Sequence, residues 1–406
     1  MENNSLKTSG TLAIVNIETL VSGDLDLGIL DADTVICKNG AISSIGKKLD
    51  ISSADIVIDA KNTTLIPGLI DSHCHVVMGD YTPRQNQIGF LDSYVHGGIT
   101  SVISAGEGVH TPGRPHDPVA SKAIAITAFK CYQNFHPNGM KVHAGSVVLE
   151  PGLTENDFRE MAEIGLRYAK FGFGAYSNPL EGLSDIRNAQ KYDLCVMSHS
   201  GGASIPGTRP INHEVLLDLK VDVCGHINGG TTSLDDEGVV RIIKESDMAL
   251  QLAQAGNLRS ALHILDAARG LGALHRVCIG SDTPTGTGVM PLGVIKTICE
   301  LASLGNMKPD EAIALATGNN ARIFKISTGT IKTGNPADLV ICDAPYGSMA
   351  QSALEAISRG DIPGISCVII GGQIRVCRSR NTPLATHLST FKVLNCDILF
   401  SLSQFA

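Results

Sequence analysis

The 406-residue chain lacks the features that would place it on nucleic acid, in a membrane or outside the cell. It has no block of basic residues, and its net charge is −8. A phosphate backbone or an anionic membrane needs the opposite sign, although a small anionic substrate held by one or two local cations is still compatible. No apolar run approaches the roughly 20 residues of a membrane helix, and the N-terminal "MENNSLKTSG" has no apolar signal-peptide core. The eleven cysteines show no CxxC pair and no regular spacing. Cys195, Cys224, Cys278 and Cys367 lie inside apolar runs, where a free thiol behaves as a small hydrophobe. No repeat of solenoid type is visible. The expectation is a reduced, soluble, cytoplasmic protein that binds neither nucleic acid nor membrane.

Apolar residues make up 43% of the chain and charged ones 18%, which suits a well-buried globular protein. Its length is large for one domain but ordinary for a (β/α)-barrel with additions. Both ends read as short strands and turns. "KNGAI" sets Asn-Gly between two β-type runs, a strong hairpin signal, and "TGTIKTGNPADLVICD" and "GISCVIIGGQIRVC" return to this style. Between them, short apolar strands alternate with helical stretches. The strands are "GLIDSHCH", "ITSVISAGE", "MKVHAGSVVLE", "RYAKFGFGAY", "CVMSHSGG", "VDVCGHINGG", "MALQLAQAG" and "RVCIGSDTP". Thr154 with Asp157 and Ser233 with Asp236 resemble capping boxes, and Gln87–Gly97 puts Ile88, Leu91 and Val95 on one helix face. This predicts an α/β fold: a (β/α)8 barrel over 66–325, with 8–65 and 326–385 pairing as a composite β-sandwich. The tail, 386–406, receives no assignment.

Functional side chains in such barrels sit at the C-terminal ends of the strands. Strand one ends with His73 and His75, which a period of two turns to the same face. Strand four offers Lys170, strand five His199, strand six His226 and strand eight Asp282. Imidazole suits zinc and iron, and a carboxylate completes the sphere. Two dications roughly 3.5–4 Å apart need an anionic bridge. A lysine near them is pushed towards its neutral form, and a neutral amine takes up carbon dioxide as a carbamate that can reach both metals. Each residue alone has an ordinary reading: two strand histidines, a snorkelling lysine, loop histidines, a helix-capping aspartate. Six suitable residues in order at the strand ends favour the ligand reading. Arg84, on the loop after strand one, is the candidate for a substrate carboxylate, with an exposed loop arginine as the alternative. His143 and Gln254 stand at apparent strand ends, to orient substrate or to satisfy buried polar groups. The "TPTGTG" loop offers backbone N–H groups to an oxyanion or is simply flexible. Cys74 is expected to point away and pack.

This set resembles the amidohydrolase superfamily, binuclear branch, over roughly residues 10 to 385. "GDYTPRQ", "HGGIT", "ISAGE", "KVHAG", "HSGGASIPG", "GHINGGTT", "SDTPTGTGVMPLG", "ATGNNA", "AISRGDIPGIS" and "SRNTP" are similar to the enamidase group, the cyclic-enamide hydrolases of nicotinate fermentation. The resemblance implies hydrolysis of tetrahydro-6-oxonicotinate, leading to 2-formylglutarate and ammonia. It also implies two divalent metals (zinc, or zinc with iron) and a homo-oligomer, a tetramer by analogy. One position departs from it. The group carries a bridging glutamate on strand four, in a Gly-Glu-Val-Gly-Leu-Gly context, where "AKFGFG" puts Lys170. That lysine favours a carbamate bridge and leaves open a different cyclic amide or imide, of dihydroorotase or hydantoinase type. A heterocycle deaminase would use one metal and no bridging lysine, and a non-catalytic scaffold would lack the ligands. In the leading reading, Asp282 takes a proton from the attacking water and passes it to the leaving nitrogen.

Overall fold

The computed structural model describes residues 10–205 and 207–394. All eight expected barrel strands form. Strand one is Leu69–Cys74, two Ile99–Ser104, three Lys141–His143, four Tyr168–Phe171, five Cys195–His199, six Val223–Gly225, seven Ala249–Ala253 and eight Val277–Gly280. The pairings along the wall are parallel. Parallel strands are covered by helices outside and packed inside, so they read as near-continuous apolar runs.

The wall has two irregular places. Strand three breaks at Ala144–Ser146: Lys141–His143 pairs with strand two, and a second piece, Val147–Val148, pairs with strand four. The seam between strands eight and one is closed near the mouth by a Cys74–Thr283 bridge and by Asp282 N–H donating to His73 O at 2.9 Å. Lower down, a side chain closes it. Asn320, on helix Gly318–Ile323, donates from Nδ2 to Ile70 O (2.7 Å) and Ile279 O (2.8 Å), and its Oδ1 accepts from Ile279 N (3.1 Å).

Helix Glu155–Ile164 opens with the expected Thr154–Asp157 capping box and ends at Gly165 in the left-handed region. Helix Asp236–Glu245 differs from expectation: Asp235, the residue just before the first turn, accepts from Gly238 N, so Ser233 is not the cap. The helix before strand two is Phe90–Val95 and buries Phe90, Leu91, Tyr94 and Val95. Ile88 is 77% exposed, because Gly89 (φ 75) turns the chain before the helix begins.

The two chain ends combine in one nine-stranded sheet. Its main path runs Gln373–Val376, Gly364–Ile370, Leu339–Asp343, Ile56–Pro67, Thr11–Val21, Thr34–Lys38, Ala41–Gly46. Asn39-Gly40, both at positive φ, make the expected hairpin turn. The register between the two longest strands slips around Asn16 and Lys61–Asn62, all at positive φ. Such bulges bend a sheet, and both ends of the chain contribute to one apolar cluster, with Leu12, Ile14, Ile58, Leu65, Leu339, Ile341 and Ile369 among its members. The tail is corrected in part: Thr390–Val393 pairs antiparallel with Ile56–Asp59. Residues 8, 9 and 395–406 lie outside the described residues. Among the described residues no helix is long and apolar enough to cross a membrane, and Cys195, Cys224, Cys278 and Cys367 are free and buried.

Candidate active site

Six side chains from five strand ends meet at the barrel mouth. His73 Nε2 lies 3.4 Å from Asp282 Oδ1 and 3.5 Å from Lys170 Nζ. His75 Nε2 is 3.0 Å from the same Asp282 oxygen, and His199 Nδ1 faces His226 Nε2 at 3.2 Å. One atom each from His73, His226 and Asp282 fall within 4.8 Å of one another. Cys74 turns instead into the large apolar cluster with Phe90 and Tyr94.

The surroundings set which imidazole nitrogens face inward. Gln251, in the middle of strand seven, accepts at Oε1 from His73 Nδ1 (2.5 Å) and from the His226 backbone N–H (3.2 Å), while its Nε2 donates to Ser72 O at 2.9 Å. His73 therefore presents a bare Nε2. His199 Nε2 donates to Gly202 O at 2.6 Å, which leaves its Nδ1 as a lone pair. Burial holds all four imidazoles neutral: His75 is lowered to about 3 and His199 to about 4, and His73 and His226 lie well below the usual range. Neutral imidazole is the metal-binding form.

Space and backbone are specialised here too. A Cβ on Gly280 would stand 2.6 Å from His73 Cβ, and one on Gly172 (φ 103) 2.6 Å from His199 Cβ. His226 (φ 34) and Asp282 (φ 54) sit in the left-handed region. Such conformations cost non-glycine residues of order 1–3 kcal/mol and cluster at functional sites.

Lys170 is fully buried, with its amine 5.6 Å above the Phe173 ring and 3.7 Å from Met197 Sδ. Among the described residues it forms no ion pair, and burial lowers it to about 8 despite Asp282 nearby. A buried amine of this kind needs either neutrality or a chemical partner.

The donor set fits metal ions. The four contacts above span 3.0–3.5 Å, against an edge of about 3.3 Å for a tetrahedron with ~2.05 Å bonds. Two imidazole nitrogens facing each other at 3.2 Å gain nothing from each other if both carry lone pairs, and among the described residues His75 Nδ1 and His226 Nδ1 are buried without partners. A cation resolves the first arrangement.

A cleft of about 260 Å³ opens over this cluster. Arg84 and the Thr285–Thr287 part of the "TPTGTG" loop line it, together with Phe173, Ile205 and His110. Arg84 is exposed and, among the described residues, makes no ion pair; its Nη1 approaches His110 Nδ1 at 3.4 Å. His110 stacks edge-on against His75 with ring centroids 4.3 Å apart. The loop that carries it is tied down by Arg114, which donates to buried Glu150 (2.9 Å) and to Phe173 O (2.8 Å).

Two expected residues lie elsewhere. His143 lines a separate cleft with Phe129, Tyr132, Arg167 and Tyr168, where the break in strand three parts the wall. Gln254 faces outward and accepts from Thr297 Oγ1 at 2.6 Å. Sequence reasoning missed Gln251 and His110. Gln251 had a signal, a lone amide inside the apolar "MALQLA"; His110, in an irregular loop, had none.

The amidohydrolase family model matches residues 64–375. Enamidase of Eubacterium barkeri is 44% identical over 375 residues, spanning 92% of this chain and 97% of that protein. A crystal structure of enamidase, described as a member of the amidohydrolase superfamily, matches with a TM-score of 0.91 at 43% identity, covering 94% of this chain and 100% of that one. Imidazolonepropionase of Streptomyces griseus subsp. griseus is 24% identical over 404 residues, covering 89% of this chain and 99% of that protein.

Proposed function

The chain belongs to the amidohydrolase family, and from that premise we propose that it is an enamidase-type hydrolase that opens the ring of tetrahydro-6-oxonicotinate, giving 2-formylglutarate and ammonia. The observation that carries this is the likeness to enamidase, 44% identity across almost the whole of both chains. The activity class, hydrolysis of a cyclic amide C–N bond, rests on the same likeness and on the family match. An unpaired guanidinium in the cleft suits a ring that carries a carboxylate.

The metal-holding residues would be His73, His75, Lys170, His199, His226 and Asp282. Two divalent ions there, zinc or a zinc–iron pair, would supply an activated water and a Lewis acid for the carbonyl. Lys170 would take part as a carbamate: its buried amine, which forms no ion pair among the described residues, is well placed to add carbon dioxide, and the product restores the carboxylate that a glutamate supplies in the enamidase group. Asp282, pinned by its N–H to His73 O, accepts the proton of the attacking water and returns it to the leaving ring nitrogen. Arg84 holds the substrate carboxylate. Ring opening at an enamide releases an enamine, which tautomerises to an imine, and a second water liberates ammonia and the aldehyde. We expect a homotetramer, by analogy, which sedimentation would check.

Lys170 supports a second reading, hydrolysis of a saturated cyclic amide or imide. One experiment separates the two: ammonia release from tetrahydro-6-oxonicotinate by protein loaded with two metals per chain, with and without bicarbonate. Release that needs bicarbonate and disappears in Asp282→Asn supports the enamidase reading with a carbamate bridge. No release, alongside turnover of a dihydropyrimidine or hydantoin, overturns it in favour of the second.

A further inference from the structure

We propose that His110 is a catalytic residue of this reaction: its imidazole donates a hydrogen bond from Nε2 to the scissile carbonyl oxygen as negative charge develops there. The inference rests on the cyclic-amide reading of the site but not on which cyclic amide is used, since every such substrate presents that oxygen.

Three observations support it. His110 lines the same cleft as Lys170, His199, His226 and Asp282, and its ring packs edge-on against His75 at 4.3 Å. It comes from the loop after strand two, which supplies no member of the ligand set, so its presence at the mouth is not explained by metal binding. A neighbour favours one tautomer. Arg84 Nη1 is 3.4 Å from His110 Nδ1; a guanidinium only donates, so Nδ1 is the acceptor and the proton resides on Nε2. The five-membered ring directs Nε2–H away from Arg84. The two cleft residues thereby divide the work, Arg84 taking a fixed anionic substituent and His110 the oxygen whose charge changes during reaction. A donor aimed at developing charge acts on the transition state more than on the bound ground state. The loop is held firmly enough for this role, through Arg114 bonded to buried Glu150 and to the carbonyl of Phe173.

The test compares His110→Ala, His110→Gln and Arg84→Gln with the parent protein, each loaded and assayed for metal content. The substrate is whichever cyclic amide the parent turns over among tetrahydro-6-oxonicotinate, saturated six-membered lactams, dihydropyrimidines and hydantoins. We expect His110→Ala to lower kcat by roughly 10²- to 10³-fold, the usual loss for one oxyanion donor, with KM and metal content close to those of the parent. His110→Gln, which keeps an N–H donor, should recover part of kcat, and Arg84→Gln should raise KM for carboxylate-bearing substrates and lower kcat by less than His110→Ala does, since it removes the contact to His110 Nδ1. Parent-like kcat in His110→Ala, a change confined to KM, or loss of metal from that variant would each overturn the role of His110 while leaving the cyclic-amide reading intact. No turnover of any of these substrates by the metal-loaded parent overturns both.

Discussion

Gln251 shows how one amide can organise a candidate metal site from behind. Its Oε1 receives both the Nδ1–H of His73 and the backbone N–H of His226, so two candidate ligands from two strands share one acceptor. Gln251→Leu keeps the volume but frees the His73 tautomer and leaves a buried amide unpaired. We expect metal affinity to fall by roughly 10- to 100-fold with the fold retained, read as metal content after dialysis against a weak chelator. A second residue gives a pH signature. Burial raises the Glu107 carboxyl from 4.5 to about 7, against hydrogen bonds that include Gly145 N–H to Oε1 at 2.7 Å. The folded state thus holds this proton more tightly than the unfolded chain does. Its contribution to stability is full below about 4.5 and is lost as pH rises through about 7. Glu107→Gln, which keeps the acceptor oxygen, should flatten the decline of Tm across that window; an unchanged slope would show that Glu107 does not titrate there. At this scale the sequence revealed what the strand ends made periodic. The six candidate ligands that meet at the mouth were legible because each lies at or just beyond an apolar strand, whereas the choice of Gln254 over Gln251 was an error of phase. Ala249, Gln251 and Ala253 share one face of strand seven, and Gln254, beyond the strand's end, turns to Thr297.

Among elements, helix Glu155–Ile164 carries its own acid sensor. Against the cost of partial burial, the Lys122 ammonium and the Thr154 hydroxyl and amide hold the Asp157 carboxyl down to about 2. That stabilisation is present above the ordinary carboxylate value of 3.8 and is lost as pH falls through about 2. Asp157→Ala should cost ~1 kcal/mol at neutral pH and less towards pH 2, measured by urea unfolding at both ends of the range. This capping box was visible in the sequence because both of its residues stand at the required spacing. The Asp236–Glu245 start was misplaced because two acidic residues adjoin there, and only the backbone decides that Asp235 remains outside the helix. Strand three explains the misplacement of His143. The strand resumes after the break as Val147–Val148, and Val148 is the residue level with Lys170, so His143 stands short of the strand's end and lines a different cleft.

On the scale of the molecule, the seam between the barrel's last and first strands has a single β-bridge among the described residues, and Asn320 spans it with three hydrogen bonds. Asn320→Ala leaves the buried Ile70 carbonyl and the Ile279 N–H without their partner, while the Ile279 carbonyl keeps the Ser72 hydroxyl. We expect a loss of roughly 3 kcal/mol, seen as a lower urea midpoint, and a larger effect than Asp157→Ala because Asn320 is fully buried. The barrel itself was legible as a rhythm of strands and helices. The sheet's exact make-up was not, since β pairing between distant segments leaves little local trace and the four-residue strand Thr390–Val393 is short and mostly exposed. The order in which the sheet's strands leave the ribosome has a further consequence. Ile56–Pro67 emerges early, yet it is flanked by Thr11–Val21, which precedes it, and by Leu339–Asp343 and Thr390–Val393, which follow more than 270 residues later. Throughout barrel synthesis the nascent chain therefore carries one long, unfinished sheet edge, the kind of surface that recruits chaperones or neighbouring chains.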